Sequence, residues 1–235
     1  MKTNQSGFTL IEIAIVLVII GLLLGGVLKG QELINSAKVK NLATDFRNIP
    51  VFIYGYQDKY RALPGDQTQA SLDAQFPPAN TGTVCTPAAA GLCATANGVI
   101  EGTWNATAIT SESFLFWQHV RLAGLAPGPT NTADANYRPT NAAGGTIGIQ
   151  SGTNSVTATP INATTGANPI RGTYIICSTG ILGKFVKQLD LTMDDNNTAT
   201  GSMMAGISTA AGTPMTAVAN ANIDDAAAYT VCMGI

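Results

Sequence analysis

The sequence predicts an α+β protein in which one long amino-terminal helix packs on an antiparallel sheet, and three observations carry that expectation. An uninterrupted apolar run from Phe8 to Leu28 is followed, after Lys29, by apolar residues that step by four and three as far as Tyr60. Beyond Leu63-Pro64-Gly65-Asp66 that helical period is lost. Short β-branched and aromatic runs, Gly172-Thr-Tyr-Ile-Ile-Cys177 and Tyr229-Thr-Val-Cys232, then mark strands. Four cysteines, an even number, suit a disulfide framework around such a sheet.

Composition removes several classes of function. Only 11% of the 235 residues are charged, with 12 Lys+Arg against 14 Asp+Glu. A chain of net charge −2 lacks the basic face that binds phosphate backbones, so nucleic acid is not an expected partner. The single histidine, His119, makes triads, zinc sites and haem ligation hard to build, and no G-x-S-x-G or P-loop pattern occurs. No enzyme activity and no cofactor are therefore expected. The scarcity of charge is uneven: between Lys2 and Lys29 the sole charge is Glu12, and from Pro139 to Ile170 there is none.

The run from Phe8 to Leu28 is about 21 residues, roughly 31 Å as a helix, which matches the hydrocarbon thickness of a bilayer. It is longer than the apolar core of a secretory signal peptide and no A-x-A cleavage site follows it, so it is expected to be retained. Glu12 is the anomaly, since an ionisable group within a span costs about 2–3 kcal/mol unless neutralised. Cleavage between Gly7 and Phe8 would create an α-amino cation one helical turn away. The plainer alternative is a carboxylate that snorkels to the headgroups.

A short polar leader ending in Gly7, then Phe8, Glu12 and the apolar run, resembles the precursors of type IV pilins and of the pseudopilins of type II secretion. The resemblance implies cleavage after Gly7 by a prepilin peptidase, methylation of the Phe8 amine, and pairing of Glu12 with the Phe8 amine of an adjacent subunit. It implies as partners other pilins, in a homo- or hetero-oligomer, and the assembly machinery of the inner membrane. Gly21, Gly25, Gly26 and Gly30 allow either close helix packing in lipid or, as in pilins, loosening of the helix in a filament.

Leu42, Phe46, Ile49, Ile53, Tyr56 and Tyr60 form one apolar stripe, with Lys38, Lys40, Asp45, Arg47, Asp58 and Lys59 on the polar side and Pro50 as the expected kink. A helix from Phe8 to Tyr60 would be roughly 80 Å long, too long for a compact domain, and predicts a lollipop-like molecule. The expected divisions are a leader at 1–7, a membrane or filament-core helix at 8–28, its amphipathic continuation at 29–62 and a globular head at 63–235.

In the head, residues 67–102 read as loop, with Cys85 and Cys93 close enough in sequence for a local disulfide. A helix is expected from Glu112 to Ala123, capped by Ser111 or Thr110 and stopped by Gly124, with His119 as a packing or surface residue. The charge-free stretch reads as short strands with generous loops on an outward-facing, hydroxyl-rich surface. Leu182, Phe185, Val186 and Leu189 share one face of a short helix. Of the three possible connectivities, Cys85–Cys93 with Cys177–Cys232 is favoured. The tail from Ile176-Cys177 through Asp194-Asp195 to Cys232 is similar to the closing segment of some pilin-like proteins.

Asp190, Asp194 and Asp195, followed by Asn196 and Asn197, offer hard oxygen ligands on a loop, and some pseudopilins hold calcium in such loops. The glycine and glutamate of an EF-hand are missing, so a solvated turn is the preferred reading and the trio a weak calcium candidate. The expected function is a structural subunit of a bacterial surface filament, a type IV pilin or minor pilin. It would be held in the inner membrane and then extruded to the cell surface. A pseudopilin of a type II secretion system and a membrane-anchored adhesive or binding protein are the alternatives.

Overall fold

A computed structural model describes residues 9–77, 82–85, 93, 96–164, 168–208 and 212–235. The chain divides into two compact units, residues 1–38 and Val39–Ile235. Helix α1 extends from Leu10 to Tyr60 and continues past Pro50. In the first unit its large aliphatic side chains are exposed, Leu10 at 93% and Leu22 at 73%. This segment is long and apolar enough to cross a membrane by length and composition, and none of its most apolar window is buried by the protein. The helix runs unbroken through Gly21, Gly25, Gly26 and Gly30, each of which faces open space.

In the second unit the stripe on α1 is buried as its period requires. Val39, Leu42, Ala43, Phe46, Ile49, Ile53 and Tyr56 enter the main core. Tyr60, the last member of the expected stripe, is only half-buried and stacks between Tyr56 at 4.8 Å and Phe76 at 5.4 Å. The helix ends on Arg61, whose φ of 54° is left-handed, and the chain turns again at Gly65, φ +96°. A Cβ on Gly65 would lie 2.6 Å from the Glu112 carbonyl oxygen. Gly65→Ala combines that clash with an unfavourable φ, and denaturant unfolding should show a loss of about 1–3 kcal/mol.

The segment expected to be loop from residue 67 contains a short helix, α2, Gln69–Gln75. Thr68 caps it by accepting from the Ser71 N–H at 3.2 Å, a local signal carried by one hydroxyl rather than by any apolar period. Helix α3, Glu112–Leu122, starts after Ser111 and stops at Gly124, φ +75°, as its punctuation predicts.

Among the described residues six strands follow from the remaining pattern: β1 Ile147–Ser151, β2 Ile161–Asn162, β3 Tyr174–Leu182, β4 Met203–Gly206, β5 Met215–Thr216 and β6 Ala228–Gly234, with helix α4, Gly183–Met193, after β3. The main sheet is antiparallel in the order β1-β3-β6-β4, and β2 pairs in parallel with β5. Both faces of the main sheet are covered. Ile147, Ile149, Tyr174, Ile176, Val231 and Met233 point into the core that holds the α1 stripe and α3. The alternate residues Ile175, Cys177, Met204 and Cys232 form a second core with Trp104, Ile161, Ile170 and Met215.

That second core takes in part of the stretch at 139–170 that was expected to face outward, and leaves the rest exposed. Asn141, Ile147–Gln150, Thr159–Ala163 and Ile170 are buried, while Thr140, Ala142–Gly144, Asn154–Ala158, Thr164 and Asn168 are exposed. The stretch does form short strands, and its buried residues enter the two cores, where an unpaired ion is costly. The buried Gln150 is bonded internally: it accepts from Trp104 N at 3.0 Å and donates to Ala158 O at 3.1 Å.

Candidate functional site at the start of the long helix

The chemistry-bearing residues at the amino terminus are Thr9 and Glu12, which together form a capping box. Thr9 is the residue before α1, and its Oγ1 accepts from the Glu12 N–H at 3.3 Å. Glu12 Oε2 reaches back to accept from Thr9 N at 2.8 Å and from Thr9 Oγ1 at 2.6 Å. One carboxylate oxygen thus satisfies the helix start, and Oε1 makes no hydrogen bond among the described residues. Reading Glu12 only as a charge in an apolar run misses this role, although Thr-x-x-Glu spacing is its signal. The proposed cleavage and methylation position, Gly7 and Phe8, lies outside the described residues.

The head places the other titratable candidates in structural roles. His119 is fully buried on α3. Its Nδ1 accepts from Gly65 N at 2.9 Å, so Nε2 carries the proton and donates to Thr83 O at 2.9 Å. The ring joins the turn after α1 to the segment leading into Cys85, and burial lowers its pKa to about 4. It is a neutral packing residue with both nitrogens occupied.

Glu112, in the first turn of α3, is fully buried. Oε2 accepts from Glu101 N at 2.9 Å and Oε1 has no partner. Burial, with the charges of Asp66 and Glu101 nearby, pushes its pKa up to about 8. Because the folded form holds a proton that the unfolded chain releases near pH 4.5, this group's contribution is fully present below pH 4.5 and is lost as pH rises through 8. Glu112→Gln should therefore be more stable than the wild type at pH 8, by a few kcal/mol, and lose that advantage at pH 4.5, as denaturant titrations at the two pH values would show.

Cys85 pairs with Cys93, and Cys177 with Cys232, leaving no free cysteine. The second pair lies directly across β3 and β6.

Asp190, Asp194 and Asp195 converge, with ligand atoms within 4.8 Å of one another; Asp194 and Asp195 lie on the partly exposed turn after α4, while Asp190 lies within the helix. Asp190 belongs to α4 and is buried, with neither carboxylate oxygen hydrogen-bonded. Burial and the neighbouring charges of Asp194 and Asp195 push its pKa up to about 7. Asp194 is committed to the chain, Oδ1 accepting from Ser202 Oγ at 3.0 Å and Oδ2 from Met203 N at 2.8 Å. Asp195 Oδ1 accepts from Asn197 N at 2.9 Å. Asp194 thus ties the end of α4 to the start of β4.

No curated protein and no solved structure matches the chain. Residues 2–28 match the prokaryotic N-terminal methylation motif, which covers Lys2, Gly7, Phe8, Glu12 and the apolar run to Leu28. Together with an apolar helix that the protein leaves exposed, this motif fits a precursor anchored in the inner membrane. The chain carries the type IV prepilin-like signal, the mark of a type IV pilin-like or pseudopilin precursor.

Proposed function

We propose that this protein is a structural subunit of a bacterial type IV pilus, a pilin or minor pilin, rather than an enzyme. Prepilin peptidase removes residues 1–7, and the Phe8 amine is methylated. Residues 8–28 hold the chain in the inner membrane until the pilus machinery extracts it into a filament with other pilins, where the same apolar surface becomes filament core. The single observation that carries this reading is the methylation motif over 2–28 joined to an α1 segment whose large apolar side chains are exposed. Glu12 supports it: Oε2 is used by Thr9, which leaves Oε1 for the Phe8 amine of a neighbouring subunit.

Mass spectrometry of the chain from surface filaments tests the processing step. The expected product begins at Phe8 with one added methyl group, and an intact Met1–Gly7 leader on assembled protein would refute it. Immunogold labelling of sheared filaments tests the role. Label along the length identifies a main subunit, and sparse or terminal label a minor one. Absence of label from filaments favours a secretion pseudopilin, whose precursor carries the same signal. Within this reading Asp190, Asp194 and Asp195 lock a turn. Calcium binding there is the alternative, and a rise in melting temperature on adding Ca²⁺ would support it.

A further inference from the structure

A cavity of the head lies beside α3, about 680 Å³ in volume and open to solvent, within the usual size range of small-ligand sites. Two guanidinium groups line it, those of Arg121 and Arg138. Neither forms an ion pair among the described residues. Arg121 is buried and held by backbone carbonyls: Nε donates to Pro127 O at 3.0 Å, and Nη1 to Pro129 O at 3.0 Å and Tyr137 O at 2.6 Å. Its Nη2 makes no hydrogen bond among the described residues, and the Tyr137 ring lies 5.1 Å from its central carbon. Arg138 is half-buried, and its guanidinium makes one bond, from Nη2 to Thr146 Oγ1 at 3.3 Å. Burial lowers both arginine pKa values from the ordinary one, the mark of cations held with incomplete hydration.

Against these two cations the wall offers one carboxylate, Asp134, which already accepts from Asn136 N at 2.7 Å. One positive charge is left over. Four threonines, including Thr132 and Thr146, add hydroxyls that donate or accept, and Pro127, Pro129 and Pro139 add flat apolar faces. We propose that this cavity binds a hydroxylated monocarboxylic acid of the uronic acid class, with Arg138 and the free edge of Arg121 taking the carboxylate and the threonines the sugar hydroxyls. A planar carboxylate suits the guanidinium fork, and its single charge matches the surplus on the wall. All of these residues belong to one chain and one unit, so the inference stands or falls separately from the filament reading.

The test is titration of the full chain in detergent micelles with D-glucuronate, D-glucose and inorganic phosphate, in the wild type and in Arg138→Gln. That variant keeps a donor for Thr146 but removes the charge, and its melting temperature verifies folding. Glucuronate is expected to bind at least tenfold more tightly than glucose or phosphate, to weaken as salt is raised, and to fall to the level of glucose in Arg138→Gln. Equal binding of glucuronate and glucose, binding of phosphate as tight as that of glucuronate, or unchanged glucuronate binding in a folded Arg138→Gln would each overturn the proposal.

Discussion

Replacing both Cys177 and Cys232 by alanine is expected to lower the stability of the Val39–Ile235 unit by about 4 kcal/mol, whereas the same change at Cys85 and Cys93 should cost only about 2.5 kcal/mol. The difference follows from loop length, since the first bridge spans 55 positions and the second 8. The long bridge closes a loop that contains α4, β4 and β5, so its loss frees the unfolded chain most. Cys177 and Cys232 are fully buried in the second core, where alanine leaves a smaller apolar side chain and serine would bury an extra hydroxyl. Guanidinium unfolding of the full chain in detergent, followed by tryptophan fluorescence, measures both costs. Trp104 sits in the same cluster as the long bridge and reports on it directly. Equal costs, or a larger cost for the short bridge, would show that local packing outweighs loop closure here.

Glu12→Gln is expected to leave membrane insertion intact and to abolish assembly. Glutamine can still accept from Thr9, so the capping box survives, while the negative charge that would meet the Phe8 amine of a neighbour is gone. Glu12→Val removes both and should insert at least as well as the wild type, because a buried carboxylate costs about 2–3 kcal/mol in a span. Thr9→Val weakens the helix start by roughly 1 kcal/mol but keeps the charge, and it should assemble. Membrane fractionation together with the yield of sheared filaments separates the three variants. Normal filament yield from Glu12→Gln would sink the charge-pairing role, and a Thr9→Val defect as severe as that of Glu12→Gln would assign the effect to the helix cap instead.

Residue patterns that act locally were legible in the sequence. The α1 stripe, the stop at Leu63-Pro64-Gly65-Asp66 and the start of α3 at Ser111 depend on near neighbours along one helix, and the structure places them where the period and punctuation put them. The short helix α2 escaped because seven residues carry too little apolar period, and only the Thr68 cap announced it. The burial of Glu112 and Asp190 was not legible for another reason: an acidic residue near a helix end is ordinarily solvated, and its own neighbours in sequence do not show what packs over it.

The charge-free stretch from Pro139 to Ile170 draws the line between the two sources. By itself the sequence determined that this protein has an exposed apolar helix bearing a methylation signal, because a bilayer-length run with one glutamate is a property of contiguous residues. Only the tertiary structure decided which residues of 139–170 are shielded from solvent. There the main sheet is covered on both faces, by α1 and α3 on one side and by Trp104 and the β2–β5 pair on the other. Burial of that kind arises when distant segments close over one another and exclude water, so a strand's own residues show that charge is absent but not which surfaces have removed it from solvent.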